Sequence, residues 1–210
     1  VVCMSATAAM EVCFLSGATL AALAPDEFEG KTAKAVKQAL AVQIGVTRFK
    51  QRLFSEDGSE ILDDEVFTSA PVKLHMVALD FYPADAQRNQ QVISASMDND
   101  LIALEKFLNS PSNPNVTDEH GNTPLHYAAS EGHVESMLLL LEAAAEKDPL
   151  GNHRMTPLFI AAQNGHFDVV RHLVEVGADK DQARNTGATP LFIAAQDKAM
   201  DTGATPLYIA

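Results

Sequence analysis

The tripeptide Thr-Pro-Leu occurs four times, opening at Thr123, Thr156, Thr189 and Thr205, with steps of 33, 33 and 16 residues. A fixed period of this length is the mark of a solenoid, in which each unit buries its apolar face only by stacking on a neighbour. Setting the chain in that register puts Ala95, Ala128, Ala161 and Ala194 in one column and Phe107, Leu140 and Leu173 in a second. Gly132 and Gly165 form a third, each followed by a histidine. Each unit reads as two helices. In GNTPLHYAASEGHVESMLLLLEAAAEKD, Thr123-Pro124 starts the first, with proline at a first-turn position where its missing N–H costs nothing. Leu125, Ala128 and Ala129 give that helix a face small enough for a neighbour to approach closely. Gly132-His133 breaks it, and a second helix follows with Val134, Met137, Leu138 and Leu141 as its apolar residues.

The pattern G-x-TPLH-x-AA-x-x-GH, followed by an apolar helix and Gly-Ala-Asp, resembles the ankyrin repeat, and TPLFIAAQNGHFDVVRHLVEVGAD fits it almost position by position. The resemblance implies an all-α solenoid with short hairpin loops over residues 90–210. Its parts are a capping repeat at 90–117, full repeats at 118–151 and 152–184, and a truncated repeat at 185–210. In the capping repeat Asp98-Asn99-Asp100 replaces the Gly-His turn. The His of TPLH survives only as His126 and becomes Phe159, Phe192 and Tyr208, so a hydrogen bond between hairpin loops is expected to be lost there. Arg154 replaces the glycine expected at a hairpin tip, which puts the conformation of that turn in question. The short last step omits a second helix and its turns, so residues from about 197 are expected to fray while 118–184 stay ordered. A chain that begins at Val1 and breaks off at Ala210 inside an apolar pattern is expected to be a fragment.

The amino-terminal part has a different rhythm. MEVCFL alternates, with Met10, Val12 and Phe14 on one face and Glu11 and Cys13 on the other, and SGAT turns it into TLAALA. KTAKAVKQALAVQIG places Ala33, Val36, Leu40 and Ile44 at helical spacing with lysines opposite, Thr32 as N-cap and Gly45 as C-cap. KQRLF, a turn at Glu56-Asp57-Gly58 and KLHMVAL follow, with Leu74, Met76 and Ala78 alternating with His75 and Val77. The order and spacing of QRLF, DGSEILDD and KLHMVAL after a Gly-ended helix resemble the ubiquitin-like family. The resemblance implies a ubiquitin-like β-grasp domain over residues 10–82, between a tail at 1–9 and a linker at 83–89, and an α+β protein as a whole. It also implies an apolar recognition patch at Phe54, His75 and Val77; the alternative is that Phe54 and Val77 are ordinary strand residues covered by the rest of the chain. The last strand runs into Asp80-Phe81-Tyr82-Pro83 with no Gly-Gly, so the module is expected to be built in and not conjugated to other proteins.

Composition narrows the function. A net charge of −13 disfavours nucleic acid and anionic membrane, whose phosphates are bound by Lys and Arg. Residues 1–24 close on Ala-Leu-Ala as a leader peptide does, but lack a basic start and are interrupted by Glu11 and Ser16-Gly17. Two cysteines, Cys3 and Cys13, make no disulfide framework, and an intracellular, cytoplasmic setting is expected. Of the seven histidines, His126, His133 and His166 recur with the unit and His120, His153 and His172 lack ligand spacing, so no metal or cofactor is expected. No phosphate-binding loop, nucleophile elbow or small-molecule site stands out. The reading is a non-catalytic scaffold or adaptor that binds a protein partner, with a possible link to ubiquitin signalling. The alternative is the targeting region of a larger ligase or kinase whose catalytic domain lies beyond Ala210. By the ankyrin resemblance the partner meets hairpin tips and first helices at Asn122, Tyr127, Ser130, Glu131, Met155, Ile160, Gln163, Asn164 and Arg184.

Overall fold

A computed structural model describes residues 10–14, 19–23, 28, 30–55, 57–67, 73–80, 85–110 and 112–193. The expected tail at 1–9, part of the linker and the short last step from Ala194 onward, with its expected fraying, lie outside the described residues. The chain divides into two compact units, Val1–Phe81 and Tyr82–Ala210.

In the first unit, strands β1 (Met10–Phe14) and β2 (Thr19–Leu23) precede helix α1 (Ala33–Ile44), and β3 (Gln51–Phe54), β4 (Glu60–Ile61) and β5 (Lys73–Ala78) follow it. They form one mixed sheet in the order β2-β1-β5-β3-β4. β1 and β5 are parallel, and the other neighbours are antiparallel. Helix α1 starts where Thr32 Oγ1 accepts the Ala35 N–H at 3.3 Å, and it stops at Gly45, whose φ of 70° glycine adopts without strain. Its first amides find carbonyls in the loop after β4: Ala33 N–H donates to Glu65 at 2.8 Å and Lys34 N–H to Asp63 at 3.0 Å. Ala33, Val36 and Leu40 then meet Val12, Phe28, Leu53, Ile61, Phe67, Leu74 and Met76 in one core, with Ile44 at its margin.

Cys13, on the face opposite Val12, is buried as Val12 is. Two expectations for this unit are corrected. Ala78, paired with Gln51 at the end of β5, is exposed and does not continue the row of Leu74 and Met76. Lys37 is not on the solvent side of α1 but buried, with Nζ 2.6 Å from Asp63 Oδ1, while Arg48 Nη1 lies 3.5 Å from Asp63 Oδ2.

The second unit is helical: α2 (Ala86–Met97), α3 (Leu101–Asn109), α4 (Pro124–Glu131), α5 (Val134–Glu142), α6 (Pro157–Gln163) and α7 (Phe167–Glu175), then a helical turn at 190–193. Helix α2 begins inside the stretch read as linker, because Asp85 accepts the Gln87 N–H at 3.0 Å and caps it. The helices form pairs α2–α3, α4–α5 and α6–α7; first helices stack on first helices and second on second. Ala95, Ala128 and Ala161 are buried along the first-helix stack, as their small side chains require for close approach. On α5 the buried residues are Ser136, Met137 and Leu140, whereas Leu138 is exposed and Val134 and Leu141 are half-buried. The apolar stripe therefore sits one step round from the face expected at Leu138. In α3, Leu104 and Leu108 are buried and Phe107 is only half-buried.

The turns repeat with the same period. Asp118 N–H to Asn122, Gly151 N–H to Met155 and Arg184 N–H to Ala188 are all 3.0 Å, each one step of 33 from the last. Gly121 and Gly187 hold φ of 82° and 80°, and Arg154, at the corresponding position, holds 59° beside His153 at 55°. The turn is kept with left-handed residues that are not glycine. Between the helices of each pair, Asn99 (φ 52°) stands where Gly132 and Gly165 do, the residue after glycine best suited to that conformation. After α5, Ala144 (φ 66°) stands where Gly177 does after α7. A left-handed non-glycine costs roughly 1–2 kcal/mol, so Ala144→Gly is expected to stabilise the stack by about 1 kcal/mol once the added unfolded-state entropy is offset. Urea unfolding followed at α5 checks this.

Candidate protein-interaction surface

The hairpin tips are tied to one another by side chains. Asn122 Oδ1 accepts the Asn152 N–H at 3.0 Å. His126 Nδ1 accepts the Thr123 N–H at 2.9 Å, so its proton is on Nε2, which donates to the Met155 carbonyl at 3.1 Å. Gly151 is glycine because a Cβ there would come within 2.5 Å of Asn122 Oδ1 and 2.7 Å of His126 Nε2. One unit on, Phe159 is buried in the place of His126, and the Arg184 guanidinium lies 5.3 Å over its ring.

The other ends of the first helices are stitched by the Gly-His turns. His133 Nε2 donates to the Met97 carbonyl at 3.0 Å, and His166 Nε2 to the Ser130 carbonyl at 2.8 Å, each reaching back to the preceding unit. Asn164 Nδ2 donates to the same Ser130 carbonyl at 2.9 Å, and Ser136 Oγ to Asn99 Oδ1 at 2.7 Å.

Burial holds His126 below its ordinary 6.5, against the opposing pull of the Met155 and Pro149 carbonyls and the Asp118 charge. The unfolded chain therefore takes up this proton first. The contribution of neutral His126 is complete above about pH 6.5 and is lost as pH falls from there towards the folded value. The stability of the repeat unit to urea should accordingly begin to fall as pH drops through about 6.5, and fall less steeply in His126→Phe, as read by tyrosine fluorescence at a series of pH values below 7.5. Asp118 acts in a lower window. Burial pushes its carboxyl up, but the Tyr127 hydroxyl and the backbone N–H groups of Asn122 and His120 outweigh that and hold it below 3.8.

Of the residues expected to meet a partner, several are already engaged within the chain. Asn122, Ser130 and Asn164 make the bonds above; Tyr127 Oη donates to Asp118 Oδ2 at 2.6 Å; Arg184 Nε donates to Thr186 Oγ1 at 2.7 Å in addition to covering Phe159. Glu131, Gln163 and Asn164 are exposed at the ends of successive first helices, and Tyr127, Ser130, Met155, Ile160 and Arg184 are half-buried. Asp118 was not singled out from the sequence, although an aspartate three residues before a turn glycine is a readable signal for a side chain that caps the turn.

In the first unit Phe54 faces His75 across the β3–β5 pairing, and Val77 faces Arg52. All four are half-buried, on the side of the sheet away from Leu53, Leu74 and Met76. Arg52 Nε is 3.2 Å from Glu60 Oε1 beside them.

Among the described residues, no three His, Cys, Asp or Glu side chains converge as metal ligands do, and no helix is long and apolar enough to cross a membrane. The family model described as ankyrin repeats (3 copies) matches residues 92–184 and 150–210. A stretch of 52 residues, 25% of the chain, is 44% identical to Inversin of Danio rerio and covers 5% of that protein. The chain thus spans only a small part of the length of this curated relative.

Proposed function

The chain belongs to the ankyrin-repeat family, and from that premise we propose that it is a non-catalytic scaffold or adaptor whose repeat unit binds a protein partner. The observation that carries this reading is the row of exposed Glu131, Gln163 and Asn164, flanked by half-exposed Tyr127, Met155 and Ile160, on and beside two first helices, α4 and α6, whose units are stitched to each other at both ends. A surface held in this way loses little side-chain and backbone freedom on binding, which favours affinity. Asn122, Ser130 and Arg184 act in this reading mainly by holding the surface. The boundaries proposed are a capping repeat at 90–117, full repeats at 118–151 and 152–184, and a partial repeat from 185.

For residues 10–82 we propose a ubiquitin-like β-grasp domain. Five strands in the order β2-β1-β5-β3-β4, the parallel β1–β5 pair and the helix after the first hairpin support it. The matched family stretches begin at residue 92, so this part rests on its own residues and topology. Its recognition face would be Phe54, His75 and Val77, and a role in ubiquitin signalling belongs to the same proposal.

The test for the repeat unit is retention of a partner by the full chain against the Glu131→Arg/Gln163→Arg variant. Neither side chain makes a bond between units, so the far-UV spectrum should be unchanged while retention falls by about tenfold or more. Equal retention rules the surface out.

A further inference from the structure

The hairpin tips at 118–122, 151–155 and 184–188 differ in charge. Segment 118–131 carries Asp118, Glu119 and Glu131. The corresponding segment 151–164 has no acidic residue and carries Arg154 beside His153, and 184–193 has no acidic residue and carries Arg184. In a chain of net charge −13, two consecutive units thus bring only positive groups to this side. Glu119, Glu131, His153 and Arg154 are exposed, and Asp118 and Arg184 are half-buried. The tips stand in a fixed row, because Asn152 N–H donates to Asn122 Oδ1 at 3.0 Å and Asn185 N–H to the His153 carbonyl at 3.1 Å.

Arg154 sits where its backbone is strained. Gly121 and Gly187 hold the corresponding position at φ 82° and 80°, which glycine adopts freely, whereas Arg154 holds 59° next to His153 at 55°. Nothing inside the chain offsets that strain, since the Arg154 guanidinium makes no hydrogen bond or ion pair among the described residues. Strain held at an exposed position points to a use for the side chain outside the fold. Arg184, one tip further, is oriented by Thr186 Oγ1 at 2.7 Å and by the Phe159 ring 5.3 Å below it, so its charge is fixed in place.

Resting on the reading that the first-helix side binds a protein, we propose that the tips select an extended, dipolar peptide segment of the partner. A basic side chain of that segment meets Asp118 and Glu119, and its carboxylates meet Arg154 and then Arg184, whose planar guanidinium groups suit them. Stacked helices lie about 8–10 Å apart and an extended chain rises about 3.3 Å per residue, so the carboxylates stand about three and about six positions from the basic residue. A segment laid the other way sets carboxylate against Glu119 and ammonium against Arg154, and this repulsion fixes its direction.

Selection of phage-displayed random dodecapeptides on the full chain tests this. The expected consensus has a basic residue and an acidic one about three or six positions away, and Arg154→Glu should turn the nearer acidic position basic. Arg154→Gly should raise the urea midpoint of the repeat unit while weakening a selected peptide by about fivefold at low salt. Gln163→Trp blocks the surface without altering its charge, and should abolish capture. Peptides lost with Gln163→Trp that carry no such charge pair, or that bind Arg154→Gly and Arg154→Glu unchanged, keep the surface and overturn this proposal. Peptides indifferent to Gln163→Trp, or no enrichment at all, overturn it together with the reading on which it rests.

Discussion

Asp63→Ala is expected to destabilise the amino-terminal unit by about 3 kcal/mol, at the low end of the range for breaking a buried ion pair because water reaches the carboxylate. The side chains of Lys37 and Arg48 are 4% and 1% exposed, and Asp63, at 28%, is the carboxylate both approach. Gln51, fully buried, spends its amide donor on the carbonyls of Lys37 and Val46 at 3.0 and 2.7 Å, and Arg48 stacks 3.8 Å over Phe49. Lys37→Met/Asp63→Ala should be less damaging than Asp63→Ala alone, since a well-packed apolar chain replaces the stranded ammonium. Urea unfolding read by amide exchange in α1 measures both. If Asp63→Ala costs under about 1 kcal/mol, the pair is a surface interaction and the account of this core is wrong.

The second large effect is expected at Gly132. A Cβ there would lie 2.6 Å from the His166 ring, at φ 77°, so Gly132→Ala must both strain the turn and push His166 off the Ser130 carbonyl. Roughly 1–2 kcal/mol for the left-handed alanine and a further ~1–2 kcal/mol for the lost hydrogen bond give a cost of about 2–4 kcal/mol. Gly165→Ala is the internal control. It has nearly the same φ, 76°, with nothing within 4 Å of the added carbon, so only the first contribution applies. Equal costs for the two would mean that the histidine stitch contributes nothing to holding successive units together.

The repeat was legible because its period recurs at 33 in proline at the first turn (Pro124, Pro157, Pro190), alanine where helices touch (Ala95, Ala128, Ala161) and glycine between paired helices (Gly132, Gly165). What escaped were features that periodicity does not encode. Lys37 looked like a solvent-facing lysine, and only a partner 26 residues away, Asp63, makes its burial tolerable. Leu138 looked like core because it is a leucine, yet Ser136 takes the buried position by bonding Asn99. Among the expected partner residues, sequence position could not separate Glu131 and Gln163, exposed at helix ends, from Asn122, Ser130 and Arg184, whose groups are bonded within the chain. That distinction depends on which side chain reaches which carbonyl, a matter of ångströms.

The central claim is that the first-helix side of the repeat unit, not its second-helix side, meets the partner. Site-specific photo-crosslinking in cells tests it most directly, with a photoreactive side chain placed at Glu131 or Gln163 on one side and at Leu138 or Arg171 on the other, all of them exposed. The account predicts a discrete protein adduct from positions 131 and 163 and none from 138 and 171. Adducts confined to 138 and 171, or the same adduct from all four, would contradict it.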